Sequence, residues 1–187
     1  MSGSYFMAWQ VRQAVAFGGM RSVVMDSNAV DPLADLPGAY ETAEAAVQSG
    51  NLEILFTHVT IDELAAIDDL ERRRRLLILL ISLGRLVSTG AFIVGHSRLN
   101  FGRINDDTKS VAALRSGGTR HSRDALIGST ALVDGCALVT YDDRLAARAR
   151  DRGVKVMTTA ELLAEYGFIP GETTQVDKTG PERPGIP

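Results

Sequence analysis

Short apolar runs alternate with stretches of helical character along most of the 187-residue chain, and this constrains the fold more than any other feature. The runs are Val23-Val24-Met25, Leu52 to Phe56, Ala91 to Val94, Ala137 to Thr140 and Val154 to Met157. Continuous apolar runs suit strands buried on both faces, as in a parallel sheet. Between them lie helical segments. Tyr40 to Val47 is closed by Gly50, after Pro32 and Pro37 break the preceding stretch. Ile61 to Ile67 carries Ile61, Leu64, Ala65 and Ile67 on one side, and Asp68 to Leu83 is stopped by Gly84. Asp107 to Leu114, Arg123 to Val133, Arg144 to Arg150 and Thr159 to Tyr166 follow. Repeated strand-then-helix order predicts an α/β domain: a three-layer α/β/α sandwich around a parallel, roughly five-stranded sheet.

The domain is expected to span residues 22–168. Residues 1–21 read as an N-terminal extension whose apolar positions fit neither a clean helix nor a strand. Residues 169–187, rich in Pro, Gly, Thr and charge, read as a disordered tail. With 45% hydrophobic and 23% charged residues the composition is globular, and a net charge of -3 gives no global attraction to nucleic acid. A nucleic-acid partner would have to be met by a local basic patch. Cys136, the single cysteine, cannot form an internal disulfide; a buried reduced thiol and a cytoplasmic location are the expectation. The apolar run Leu76 to Leu83 is too short to span a bilayer and follows four arginines, so no membrane association is expected. No basic region followed by an apolar core marks a secretory signal.

Two strand ends carry an acid in equivalent settings: Val24-Met25-Asp26 and Val139-Thr140-Tyr141-Asp142. In a parallel sheet both exits lie on one edge, where open α/β sheets bind ligands. Each Asp has a structural role open to it as a helix N-cap. Glu63 is a third acid, although Thr60-Ile61-Asp62-Glu63 also matches a capping box. Asp124 is a fourth, near the start of a helix whose dipole favours an acid there; Ser122 is the more natural cap.

Together these pieces resemble the PIN-domain nucleases. The matching stretches are Val-Val-Met-Asp26-Ser-Asn, Thr60-x-x-Glu63-Leu, Asp124-x-x-Ile-x-x-x-Ala131 and Leu-Val-Thr140-x-Asp142-x-x-Leu145. The closing Val-Lys-Val-Met-Thr-Thr-Ala-Glu-Leu-Leu is also similar, so the resemblance covers roughly Ser22 to Tyr166. It implies a PIN-like fold and a metal-dependent endoribonuclease, similar to the toxin half of bacterial toxin–antitoxin pairs. It further implies an RNA substrate, a homodimer joined through helical faces, and an inhibiting antitoxin. Asp26 and Asp142 would be the central ligands of Mg²⁺ or Mn²⁺, Asp124 would complete the shell, and Glu63 would hold a metal-bound water or act as its base. Ser27 and Thr140 would orient carboxylates, with Asp143 placed to reach the same site.

The chemistry of the residues agrees with that reading. Four carboxylates brought together would repel, and divalent cations relieve the repulsion. Carboxylate oxygens suit hard ions such as Mg²⁺ or Mn²⁺, and His58, His96 and His121 are too scattered for a zinc site. An anionic substrate needs basic residues around the acids. Arg72 to Arg75 are one candidate group, with a solvated helix face as the plain alternative. Arg98, Arg103, Arg115, Arg120 and Arg123 are another, leading directly to Asp124. The competing reading is a catalytically silent PIN-fold module that binds RNA or protein. A phosphoaspartyl enzyme is disfavoured because Asn28 stands where a second Asp belongs, and a dinucleotide-binding enzyme because no G-x-G-x-x-G follows the first strand.

Overall fold

Along each central strand, neighbouring residues face opposite ways into two separate apolar layers. A computed structural model describes residues 20–103 and 122–170 and shows this directly. The strands are β1 (Arg21–Met25), β2 (Leu52–Phe56), β3 (Gly84–Leu86), β4 (Ala137–Val139) and β5 (Val156–Met157). All pair in parallel, in the order β3-β2-β1-β4-β5. Val23, Met25, Ile54, Phe56 and Val139 point into one core layer; Val24, Leu55 and Leu138 point into the other. Because both faces are covered there, the buried parts of β1, β2 and β4 read as apolar runs, whereas the edge strand β3, Gly-Arg-Leu, does not.

Seven helices cover the sheet among the described residues: α1 (Asp31–Asp35), α2 (Ala39–Gln48), α3 (His58–Ala65), α4 (Leu70–Leu83), α5 (Ser122–Asp134), α6 (Asp143–Arg150) and α7 (Thr159–Ala164). Leu33 of α1, Ala39 and Ala43 of α2, Leu76, Leu80 and Leu83 of α4 and Leu162 of α7 fill the first layer. Ala125, Leu126, Ile127 and Ala131 of α5, with Leu145 and Ala149 of α6, fill the second. The three-layer α/β/α architecture is therefore as the sequence indicates.

Three local expectations need correction. The third strand is Gly84–Leu86, not Ala91 to Val94. Helix α4 passes into β3 without a loop: Gly84 caps the helix with extended backbone, and its missing Cβ leaves room for the Phe56 ring, 2.8 Å from where that atom would sit. Ala91 and Ile93 are buried while Phe92 and Val94 are exposed, so this segment keeps a two-residue period without joining the sheet. It lies against α5, where Gly90 donates its N–H to Thr130 Oγ1 at 3.0 Å. A Cβ on Gly90 would stand 2.2 Å from the Ser129 carbonyl oxygen, so the missing side chain is what allows this close approach to α5.

Second, Pro32 does not merely break the chain. It sits in the first turn of α1, where a missing N–H costs nothing. Third, Thr60 and Glu63 do not form a capping box. Helix α3 begins at His58 with Thr57 as N-cap, which leaves Thr60 inside the helix, its hydroxyl directed at the Met25 carbonyl (3.3 Å). Cys136 is a free, half-buried thiol whose pKa burial pushes up to about 11. The helix expected at Asp107 to Leu114, the N-terminal extension up to residue 19 and the tail beyond residue 170 lie outside the described residues.

Candidate metal centre at the sheet edge

The chain leaves β1 toward β2 on one side and returns to β4 on the other. Strand order therefore reverses between β1 and β4, and the crevice outside their C-terminal ends is the natural ligand position of an open α/β sheet. Asp26 and Asp142 follow those two strands. Met25 pairs with Val139 in register, and the Asp26 N–H continues the ladder to the Val139 carbonyl at 3.0 Å.

Asp26 is 5% exposed and is held on both oxygens. Its Oδ2 accepts from the Thr140 hydroxyl at 2.7 Å and its Oδ1 from the Ser27 N–H at 2.8 Å. Thr140 Oγ1 in turn accepts from the Asp142 N–H at 3.0 Å. Asn28 ties the two exits from the other side: its Oδ1 accepts from the Tyr141 N–H at 3.0 Å. No local pattern marks Asn28 as the residue that spans the exits.

Glu63 reaches the same edge from α3. Its carboxylate accepts from the Ser27 hydroxyl at 2.6 Å, which is what replaces the capping bond. Asp124 reaches it from the first turn of α5 and pairs with Arg148 of α6 at 3.1 Å. Asp142 caps α6, its Oδ1 accepting from the Arg144 and Leu145 N–H groups at 2.7 and 2.9 Å. Asp143 is the exposed first residue of that helix.

The acids act on one another. Burial raises the pKa of Asp26 above the usual range, against the bonds from Thr140 and Ser27, and the charges of Asp124 and Asp142 raise it further. Burial also raises that of Glu63; the Ser27 bond opposes this, the Asp26 and Asp124 charges add to it, and Arg123 lowers it. The four carboxylates thus share one electrostatic environment. They are not drawn into a ligand cage: among the described residues no group of three or more His, Cys, Asp or Glu side chains is gathered closely enough to hold a metal ion. Two reasons are visible. Asp142 is turned onto its helix cap, and Asp124 is turned onto Arg148. The donor chemistry nevertheless fits a hard divalent cation, because the set is entirely carboxylate and its most buried member is strained toward protonation.

The arginines divide. Arg72 pairs with Asp31 and Asp35, and Arg75 with Asp35, so half of the Arg72 to Arg75 run fastens α4 to α1. Arg98 pairs with Asp62 beside Glu63. Arg103 makes two bonds to Asp134, ten residues beyond Asp124 on α5 and so about 15 Å along the helix from it. Arg103 therefore does not rim the acids, contrary to expectation. Arg123 does: it is exposed and its charge is felt at Glu63. Arg115 and Arg120 lie outside the described residues. A surface hollow of about 490 Å³ lined by Leu33, Leu36, Tyr40, Arg75 and Leu79 contains none of the four acids.

No family model matches the sequence, and no curated protein does. Solved structures match the fold. The crystal structure of PAE2754 from Pyrobaculum aerophilum is 23% identical, with a TM-score of 0.51 over 82% of this chain and 95% of that one. The chain has a PIN-like fold. VapBC2 from Rickettsia felis, bound to a DNA fragment from its promoter, is similar at 16% identity and a TM-score of 0.49, over 73% of this chain and 98% of that one. VapBC-5 from Mycobacterium tuberculosis is similar at 22% identity and a TM-score of 0.41, over 73% and 98%. Within this PIN-like domain, Arg148 joins Asn28 as a residue of the site that sequence reasoning missed. The Arg148 contact joins two helices across 24 positions, which no local pattern encodes.

Proposed function

We propose that this PIN-like domain is a metal-dependent endoribonuclease, of the kind that serves as the toxin of a toxin–antitoxin pair. The observation that carries the reading is Asp26: a carboxylate buried at the strand-order reversal, fixed by Thr140 and Ser27, with the charges of Asp124 and Asp142 acting on it. Asp26, Asp142 and Asp124 would hold Mg²⁺ or Mn²⁺, with Glu63 beside them. Such a cation supplies Lewis acidity to a phosphodiester and a water activated for attack. The chain's own contribution is orientation. Thr140 and Ser27 fix the two Asp26 oxygens, Ser27 also fixes Glu63, and Asn28 holds the two strand exits together. Arg123 is placed to meet a phosphate at the rim, a contact that gives affinity without sequence choice.

A second reading, a silent RNA- or protein-binding module, is favoured by one observation: the acids are not gathered. Incubation with single-stranded RNA separates the two. The nuclease cleaves in Mg²⁺ or Mn²⁺, stops in excess EDTA, and loses activity by about a thousandfold or more on Asp26→Asn or Asp142→Asn. Cleavage undiminished in EDTA would refute the metal role, and absence of cleavage together with absence of Mn²⁺ binding would favour the silent module. A homodimer and an antitoxin partner belong to the same proposal. Leu76, Leu79, Leu80 and Leu83 are consumed by the core, but Ile78 and Ile81 of α4 are 59% and 61% exposed and offer a face to a second copy.

A further inference from the structure

We propose that Arg148, an ion-pair partner of Asp124, is a positioning residue that sets how tightly the acidic edge takes a divalent cation. The inference rests on the metal-site reading above and adds a residue to it.

Arg148 is in an unusual setting for a helix-surface arginine. Its side chain is 14% exposed, and Asp124, its partner, is 26% exposed. Helix α6 carries the guanidinium to Asp124 in the first turn of α5. One Nη2 donor meets Asp124 Oδ2 at 3.1 Å, while its Nε is buried without a partner among the described residues. The ion pair itself adds little net stability, because burying a charge pair roughly cancels the attraction gained. The charge of Asp124 is felt at both Asp26 and Glu63. Arg148 takes part of that carboxylate and offsets one of four negative charges.

A divalent cation entering the edge must share Asp124 with Arg148 or displace it, and it meets the repulsion of a fixed positive charge nearby. Removing that charge should therefore strengthen cation binding. Calorimetric titration with Mn²⁺ alone, without RNA, reads this directly. Arg148→Met keeps the volume and removes the charge. It is expected to bind Mn²⁺ about tenfold more tightly than the unmodified chain, from Coulomb's law at the effective dielectric of a partly buried site. Arg148→Lys keeps the charge and should stay near the unmodified affinity. Arg152→Met makes the same net-charge change at an exposed position of the turn after α6 and should not tighten binding. Where Arg148→Met does not fold, Arg148→Gln removes the charge while retaining a donor for Asp124 and carries the comparison.

Unchanged or weaker Mn²⁺ affinity in the Met and Gln variants would overturn the role of Arg148 and leave the metal site standing. Equal tightening by Arg152→Met would overturn it as well, by assigning the effect to bulk charge. No Mn²⁺ binding by the unmodified chain would overturn the metal-site reading, and this inference with it.

Discussion

Asp26 concentrates the conflict of the site in one side chain. It is buried, bonded and negatively surrounded, and its raised pKa states the cost of keeping it charged. The sign is fixed by proton counting. In the unfolded chain the group ionises near its ordinary value; in the metal-free fold it ionises higher. Between the two values the folded state holds more protons, so this group's contribution to stability falls as pH rises through that window. Above that window the full cost remains. Asp26→Asn should therefore raise the melting temperature of the metal-free protein most at the high-pH end of a pH series, and the gain should shrink as the pH is lowered through that window. Scanning calorimetry in EDTA measures it. Glu63, raised for the same leading reason, should behave alike on Glu63→Gln. Thr140→Val works the other way. It strips Asp26 Oδ2 of its donor and the Asp142 N–H of its acceptor, and urea denaturation should register a loss of about 1–3 kcal/mol. Asp26, Ser27, Thr140 and Asp142 stood out because strand exits announce themselves in sequence, whereas Glu63 and Asp124, both on helices, were singled out by the family resemblance. The partners of Asp124 and Glu63 were not legible, since Arg148 and Ser27 reach them across the fold.

Elements were legible where the period was clean and flanked by stops. Strands β1, β2 and β4 and helices α2 and α5 lie within one or two residues of their sequence limits. Ala91 to Val94 misled because a two-residue burial period is a property of any extended segment on an apolar wall, whether or not a strand lies beside it. What marks that segment is Gly90, whose hydrogen atom faces the backbone of α5 at Ser129. Gly90→Ala has nowhere to place its methyl group without moving backbone. It should destabilise the fold by about 1–3 kcal/mol, read as a lowered urea midpoint at unchanged slope. Helix α1 was hidden by Pro32, which terminates helices in their interior and starts them at their first turn.

At the scale of the molecule, the acids and the free basic surface have to cooperate. Pairing removes Arg72, Arg98 and Arg103 from simple service as phosphate contacts and leaves Arg123 at the rim. Arg123→Ala should weaken binding of unrelated single-stranded RNAs about equally and reduce the slope of log affinity against log salt by about 0.7, measured by anisotropy. The net charge of -3 carried by the whole chain makes such local contacts decisive. The fold class followed from the alternation of strands and helices, while the gathering of the acids is a matter of rotamers and bound ions, which no sequence pattern records. That gathering is the centre of the account. The most direct measurement is a crystal of the protein soaked in Mn²⁺ and recorded at the manganese absorption edge. The account predicts an anomalous peak between Asp26 and Asp142 at carboxylate-ligand distance, about 2.1 Å for an ion of this class. A fully soaked crystal with no peak at the β1–β4 edge, or with its manganese bound elsewhere, would contradict it.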